Sequence, residues 1–357
     1  MANNERGALR LSVLDQSPVR DGQTSAEAIR ETLDLARAAD RLGYHRYWLA
    51  EHHSTPGLAD AAPEILIAEV ATRTRRIRVG SGGVMLTHYS PLKVAEQFRM
   101  LETLHPGRID LGIGRAPGSD ARTALALRRG AVASGNARVP DPWAEDEIAR
   151  FPDQIADLIG FLTDRLPPEH RFATVHAMPT GDGVPEIWLL GSTDASAACA
   201  ANFGTAFSFA HFINADGGAV VTRAYARAFR PSPVLLAARA SAAVFVVCAD
   251  TEAEAERLAR SRNLFIVRLY TGRAGPYPSV EEAERYPYSA RELAIVDHAR
   301  GRTVTGAPEQ VRARLLALAA DYGVDELVVV TITYDPKARL RSYELLAQAF
   351  GLPGGTP

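Results

Sequence analysis

The chain has 357 residues, 46% hydrophobic and 23% charged, with a formal net charge of −2. That is an ordinary globular composition, and without a basic excess nothing in it is built to hold a nucleic-acid backbone. Cys199 and Cys248 stand far apart without CxxC spacing, which argues against a zinc site and a disulfide scaffold. The opening MANNERGALR lacks the apolar core of a signal peptide, and no apolar run is long enough to span a bilayer, so a reducing cytoplasm is the expected setting.

Short strand-like runs alternate with longer helical ones. LSVLD (11–15) precedes a segment that opens on a capping box, Thr24 to Glu27, carries Ile29, Leu33, Ala36 and Ala39 at helical spacing, and stops at Gly43. YWLA (47–50) follows, then a helix from Pro63 through Thr74. IRVGSG (77–82) leads to a helix capped at Ser90 with Pro91 at its first position. IDLGIG (109–114), IWLL (187–190), TAFSFA (205–210), AVFVV (243–247) and ELVVV (326–330) complete eight strand–helix units. Such alternation implies parallel pairing with right-handed crossovers, and the nearly all-apolar strands imply burial on both faces. Eight units at this length predict an α/β fold, a (β/α)8 TIM barrel, over an open doubly wound sheet. Long insertions are expected after the fourth strand (116–145) and between the seventh and eighth strands (262–304). Both would emerge near the mouth as functional lids or mobile segments. Residues 1–350 read as one domain and 351–357 as a disordered tail.

In a barrel, chemistry collects at the carboxyl ends of the strands. The first ends in Asp15-Gln16-Ser17-Pro18, which reads equally as a turn or as a polar lining of the mouth, with Asp15 the candidate. The second ends in Glu51-His52-His53. Neighbouring strand residues face opposite ways, so His52 and His53 are poorly placed to chelate one ion, and no H-x-H pair is present. That leaves a structural cluster or a proton-transfer histidine, and imidazole titrates near neutrality. The third runs into Gly82-Gly83-Val84, a bulge or a surface for close backbone approach.

The fourth gives GIGRAPG (112–118). Its glycines lack dinucleotide-fingerprint spacing, and Pro117 stands where a helix should open. Arg115 suits either a phosphate or a surface ion pair. After the fifth, Gly191, Ser192, Thr193, Asp194 and Ser196 sit where a strand turns into a helix, a place for an anion or for a simple N-cap. The sixth ends in Phe209-Ala210-His211-Phe212, candidate walls of an apolar pocket.

These strand ends, with WLAEHH, IRVGSGGVMLTHYSPLKVAEQFRMLETLHPGRIDLGIGRAPG, LLGSTDASAACAANFG, TVTGAPEQVRARL and YDPKARLRSYELLAQAFG in that order, resemble the bacterial luciferase-like family of flavin-dependent monooxygenases and oxidoreductases. The resemblance implies a TIM barrel binding FMN or, in some branches, F420. It places Gly82-Gly83 at a non-prolyl cis peptide against the flavin ring. It places Arg115 and the Ser192–Ser196 turn at the phosphate, and His52 in an acid/base role with Glu51 and His53 as its supports. Gly114 stands where luciferases carry a cysteine, and Gly191 where they carry a glutamate, which argues against light emission.

The implied activity is monooxygenation of a small organic substrate by reduced FMN and dioxygen through a flavin C4a-hydroperoxide. A separate flavin reductase would supply the cofactor, and the enzyme would be a homodimer. The site expected from the resemblance comprises His52 for catalysis. Gly82, Gly83, Val84, Gly114, Arg115, Gly191, Ser192, Thr193 and Ser196 would hold the cofactor. Asp15, His53, Phe209, His211 and Phe212 would line the substrate pocket, without metal. An F420-dependent hydride transferase, with Arg122, Arg128 and Arg129 as further basic groups, and a non-catalytic flavin-binding protein are the alternatives.

Overall fold

A computed structural model describes residues 9–116, 120–127 and 145–354. The strands are β1 (Arg10–Asp15), β2 (Arg46–Leu49), β3 (Arg78–Met85), β4 (Ile109–Gly114), β5 (Glu186–Gly191), β6 (Ala206–Ala210), β7 (Ala240–Cys248), β8 (Thr303–Gly306) and β9 (Glu326–Val330). All pair in parallel, and β1 to β7 with β9 close a ring of eight, with β6 bonded to β7 and β9 to β1. The fold is therefore the expected (β/α)8 barrel.

The helices behave as their caps predict. In α1 (Ser25–Leu42) both arms of the Thr24–Glu27 capping box form, and Gly43 ends the helix in the left-handed region at φ 86°. α2 (Pro63–Arg73) and α3 (Pro91–Leu104) each start on proline. Ser90 occupies the cap of α3 but makes no side-chain cap bond. Further along lie α4 (Ala121–Leu127), α5 (Glu145–Thr163), α6 (Asp194–Phe203), α7 (Gly218–Ala228) and α8 (Glu252–Tyr270). The last four are α9 (Val280–Arg285), α10 (Ala290–Arg300), α11 (Pro308–Tyr322) and α12 (Pro336–Phe350).

Three expectations change. A ninth strand exists: β8 pairs with the upper half of β7, from Phe245↔Thr303 to Cys248↔Gly306, while β9 takes Ala242 to Phe245. Four residues, TVTG, are too short to show periodicity. The 262–304 segment is no loop, since it holds the second half of α8, then α9, α10 and the start of β8. At the C-terminus Leu352 packs on the core and Pro353 lies against Gly43, so residues 351–354 belong to the folded body. Residues 355–357, and Pro117, Gly118, Arg128 and Arg129, lie outside the described residues.

Strand alternation divides the core in two. Leu11, Val13, Tyr47, Leu49, Val79, Leu111, Leu189, Phe207 and Val329 face the helices. Leu14, Trp48, Trp188, Ala243, Phe245, Val328 and Val330 fill the barrel. At the amino ends of the strands, fully buried Arg46 reaches Glu326 Oε1 and Asp110 Oδ2, both at 2.6 Å. Burial alone would weaken the Arg46 charge, but these carboxylates and Glu186 hold its pKa above the usual value. Trp48 donates Nε1–H to Asp110 at 2.9 Å and Trp188 to Glu186 at 2.8 Å. The two indoles meet edge to face with centroids 5.2 Å apart. The ionic plug thus fixes the tryptophan pair on which the mouth rests.

Candidate functional site

A cavity of about 310 Å3 opens at the carboxyl ends of the strands. Its floor is apolar, with Leu14, Trp48, Ala50, Leu190, Ala210 and Ala243. Gly82 and Gly83 form part of the wall, and the peptide between them is cis. A Cβ on Gly82 would fall 2.7 Å from Leu14 Cδ1 and 2.9 Å from Trp48 Cβ, and one on Gly83 2.7 Å from both Leu190 Cδ1 and the Gly112 carbonyl. Only glycine lets the backbone itself be the surface here. Gly114 differs: among the described residues its Cβ would meet only Met85 Sδ, at 3.8 Å, so a side chain there has room.

One end of the cavity is polar, lined by Arg115, Gly191, Ser192, Thr193 and Ser196. Thr193 caps α6, its Oγ1 accepting the Ser196 N–H at 3.4 Å, and the Ser196 hydroxyl donates to the Thr193 carbonyl at 2.7 Å. A guanidinium and a helix N-terminus at one end of a flat apolar slot suit a planar ring carrying an anionic tail. The described residues of this cavity therefore fit a flavin mononucleotide in kind.

His52 lies on the cavity wall, one-quarter exposed, its side chain on the same strand face as Trp48 and Ala50. Its Nδ1 is 3.0 Å from Oδ2 of fully buried Asp60, and its backbone N–H reaches the Asp60 carbonyl at 3.3 Å. Burial alone would pull the imidazole pKa down; the Asp60 carboxylate outweighs it and the net shift is upward. Holding Nδ1 on a carboxylate leaves Nε2 for a reactant.

Among the described residues neither Glu51 nor His53 hydrogen-bonds the His52 ring, contrary to the expected supports. Glu51 serves His53 instead, through Nε2 at 2.7 Å, and accepts the Met85 N–H at 2.9 Å and the Tyr89 hydroxyl at 2.6 Å. It ties the second strand end to the third from behind the cavity. The partner of His52 is Asp60, which sequence reasoning missed because it lies eight residues on in an irregular loop.

A second cavity of about 470 Å3 adjoins the first and shares Gln16, His52, Phe212 and Ile213 with it. His53 lines it, and Phe212, stacked edge to face on Phe245 at 5.3 Å, lines both. Four expected site residues fall elsewhere, all for one reason. Asp15, Val84 and Phe209 occupy strand positions that face the helices, and His211 continues that parity beyond β6. Asp15 is fully buried and accepts from Arg339 Nη2 at 2.7 Å, Ser17 N–H at 2.8 Å and the Tyr47 hydroxyl. Val84 packs in the outer core. Phe209 packs on Phe207 and Tyr322, and His211 Nδ1 meets the Tyr322 hydroxyl at 2.9 Å. In the first strand end the residue that faces the cavities is Gln16, one position on. Arg122, exposed on α4, lines neither cavity.

Among the described residues no three His, Cys, Asp or Glu side chains cluster as metal ligands, and no helix is long and apolar enough to cross a membrane. Cys248 is buried and Cys199 half-buried, both free.

A closed parallel barrel with an apolar slot, a polar end carrying Arg115 beside a helix N-terminus, and a carboxylate-held histidine defines the class: a (β/α)8 enzyme with its candidate site at the C-terminal face. Residues 9–326 match the luciferase-like monooxygenase family, and the chain belongs to that family of enzymes. It is 39% identical to a luciferase-like monooxygenase of Escherichia coli K12, covering 94% of this chain and 96% of the relative. It is 38% identical to the N-acetyl-S-alkylcysteine monooxygenase of Bacillus subtilis, covering 96% and 98%. The crystal structure of apo-MsnO8 superposes with a TM-score of 0.85 at 39% identity, covering 98% of this chain and 99% of that one.

Proposed function

We propose that the protein is an FMN-dependent monooxygenase of small organic substrates, with reduced FMN supplied by a separate reductase. The observation that carries the reading is the slot of about 310 Å3 with a glycine wall, a tryptophan floor, and Arg115 with the capped start of α6 at its polar end. Arg115, Ser192 and Thr193 would hold the phosphate, and Gly82, Gly83 and Gly114 the ring. When bound, FMN supplies the dioxygen chemistry. His52, held at Nδ1 by Asp60, gives and takes a proton at Nε2 on the substrate side. Phe212 and Ile213, between the two cavities, keep water from the reacting face. A homodimer fits the exposed Ile65 on α2 and Met100 and Leu104 on α3, and sedimentation at micromolar concentration checks it.

Spectral titration with FMN, and with F420 as the competing ligand, tests the cofactor. Oxygen uptake with a reductase and a substrate panel tests the reaction. His52→Ala should keep FMN affinity within about twofold and lose at least about a hundredfold in coupled product formation, the lower end of the usual scale for one acid/base group. Full coupled turnover in that variant would remove His52 from the mechanism.

A further inference from the structure

The second cavity holds two cations that no carboxylate among the described residues pairs with. Arg262 of α8 and Arg302, just before β8, both line it and are 3% and 7% exposed. Arg262 Nη1 donates to Thr303 Oγ1 at 3.0 Å and its guanidinium carbon lies 3.6 Å from the centre of the Phe245 ring. Arg302 donates Nη1–H to the Ile213 carbonyl. Neither Nε–H has an acceptor among the described residues, and neither guanidinium pairs with a carboxylate there. The carboxylate among the cavity's described lining residues is Asp120, exposed at the rim.

The same chain shows how it treats its other deeply buried arginines. Arg99 spends its guanidinium on three backbone carbonyls, those of Leu162, Pro179 and Gly181, whereas Arg46 has Asp110 and Glu326 and Arg339 has Asp15. Those carboxylates outweigh burial and raise the pKa of both. Arg262 goes the other way, pushed down to about 10 by burial, with Arg302 adding repulsion. A buried cation without a counter-charge is costly, and a phenyl face and neutral oxygens offset only part of that cost. Beside them the wall is largely apolar, with Phe212, Phe265, Ile266, Leu269 and Tyr277, while Gln16, His52, His53, Ser54 and Thr55 form its polar side.

We propose that the substrate oxygenated here carries a carboxylate that docks on Arg262 and Arg302, with its apolar chain lying along Phe212 toward His52. This rests on the reading that the second cavity receives the acceptor beside FMN. Planar guanidinium forks match a carboxylate, and the substrate brings a negative charge to the two guanidiniums, away from Asp120 at the rim.

Calorimetric titration of the full chain, with and without FMN, compares hexanoate with hexanamide, which has the same chain and no charge. Hexanoate should bind at least tenfold more tightly. Arg302→Met and Arg262→Met should each bring that preference to within about twofold while keeping the wild-type FMN affinity. Their unfolding midpoints should be no lower than that of the wild type, because each removes a buried uncompensated charge. Equal affinity for amide and acid in the wild type overturns the proposal whether or not the variants fold, as does failure of the wild type to bind hexanoate or survival of the preference in both variants. The FMN-free arm separates the two readings: a carboxylate preference in a protein that does not bind FMN would overturn the cofactor and leave the anion site standing.

Discussion

Asp15 separates a residue that reads as pocket lining from one that holds the barrel together. It is fully buried on the helix side of β1, and it neutralises Arg339, itself 5% exposed. Among the described residues, Asp15→Ala leaves that guanidinium buried with only the Thr331 carbonyl, at 2.7 Å, strips the Ser17 N–H of its side-chain acceptor, and leaves the Tyr47 hydroxyl with the Thr32 carbonyl at 3.1 Å. Breaking a buried pair from one side costs about 3–5 kcal/mol, a large share of the roughly 5–15 kcal/mol that keeps a domain folded. Guanidinium unfolding at pH 7 should show that loss. Combining it with Arg339→Met should return a coupling of about 2–3 kcal/mol, since no lone charge then remains.

The acid dependence has a definite sign. Burial alone would raise the Asp15 pKa, but Arg339 beside it brings the net shift below the ordinary value. Its contribution is therefore present above about pH 3.9, the unfolded value, and is lost as pH falls through the lower folded value. FMN affinity in any folded fraction should stay within about twofold. A variant that loses less than about 1 kcal/mol, or that folds normally and loses FMN, refutes the assignment.

Three further outcomes follow from the same contacts. In Asp60→Asn, only the weaker pull of Glu51 still opposes burial at His52, so proton NMR of the ring should find its pKa lower than in the wild type. In the wild type the contribution of His52, while Asp60 stays ionised, is full below about pH 6.5 and lost as pH rises through the higher folded value, and that window should shrink in the variant's unfolding profile. Gly114→Leu, whose Cβ has room, should fold with a midpoint within about 1 kcal/mol of the wild type, as at tolerant sites, yet weaken FMN binding at least tenfold by filling the slot, read by fluorescence quenching. Gly112→Ala should fail to give a soluble barrel in expression trials, because its Cβ would fall 2.2 Å from the Ser81 carbonyl, backbone that cannot swing away.

The barrel was legible because its signals are long: eight apolar strands, a capping box at Thr24, and prolines opening α2 and α3 each announce themselves within one element. β8 was not, because four residues cannot show a period. Within the candidate site, parity decided the outcome. It separates His52 from Glu51 and His53, and the same count from Leu11 and Val13 puts Asp15 on the outside, from Phe207 puts Phe209 and His211 there, and makes Gln16 and Phe212 the residues that face in. Asp60 and the arginines at 262 and 302 left no local signal. They reach the mouth only through tertiary packing of an irregular loop, a long helix and a strand start.

β8 also has a consequence for how such a protein can diversify. The ring closes through β6, β7, β9 and β1 without it, so the stretch from α8 to β8 is fastened to the outside like a replaceable cartridge. That stretch carries Arg262, Phe265, Tyr277 and Arg302, four walls of the second cavity, while the flavin-sized slot draws its described walls from elsewhere. Grafting residues 250–306 between relatives should therefore exchange what is accepted while leaving the slot for the cofactor intact.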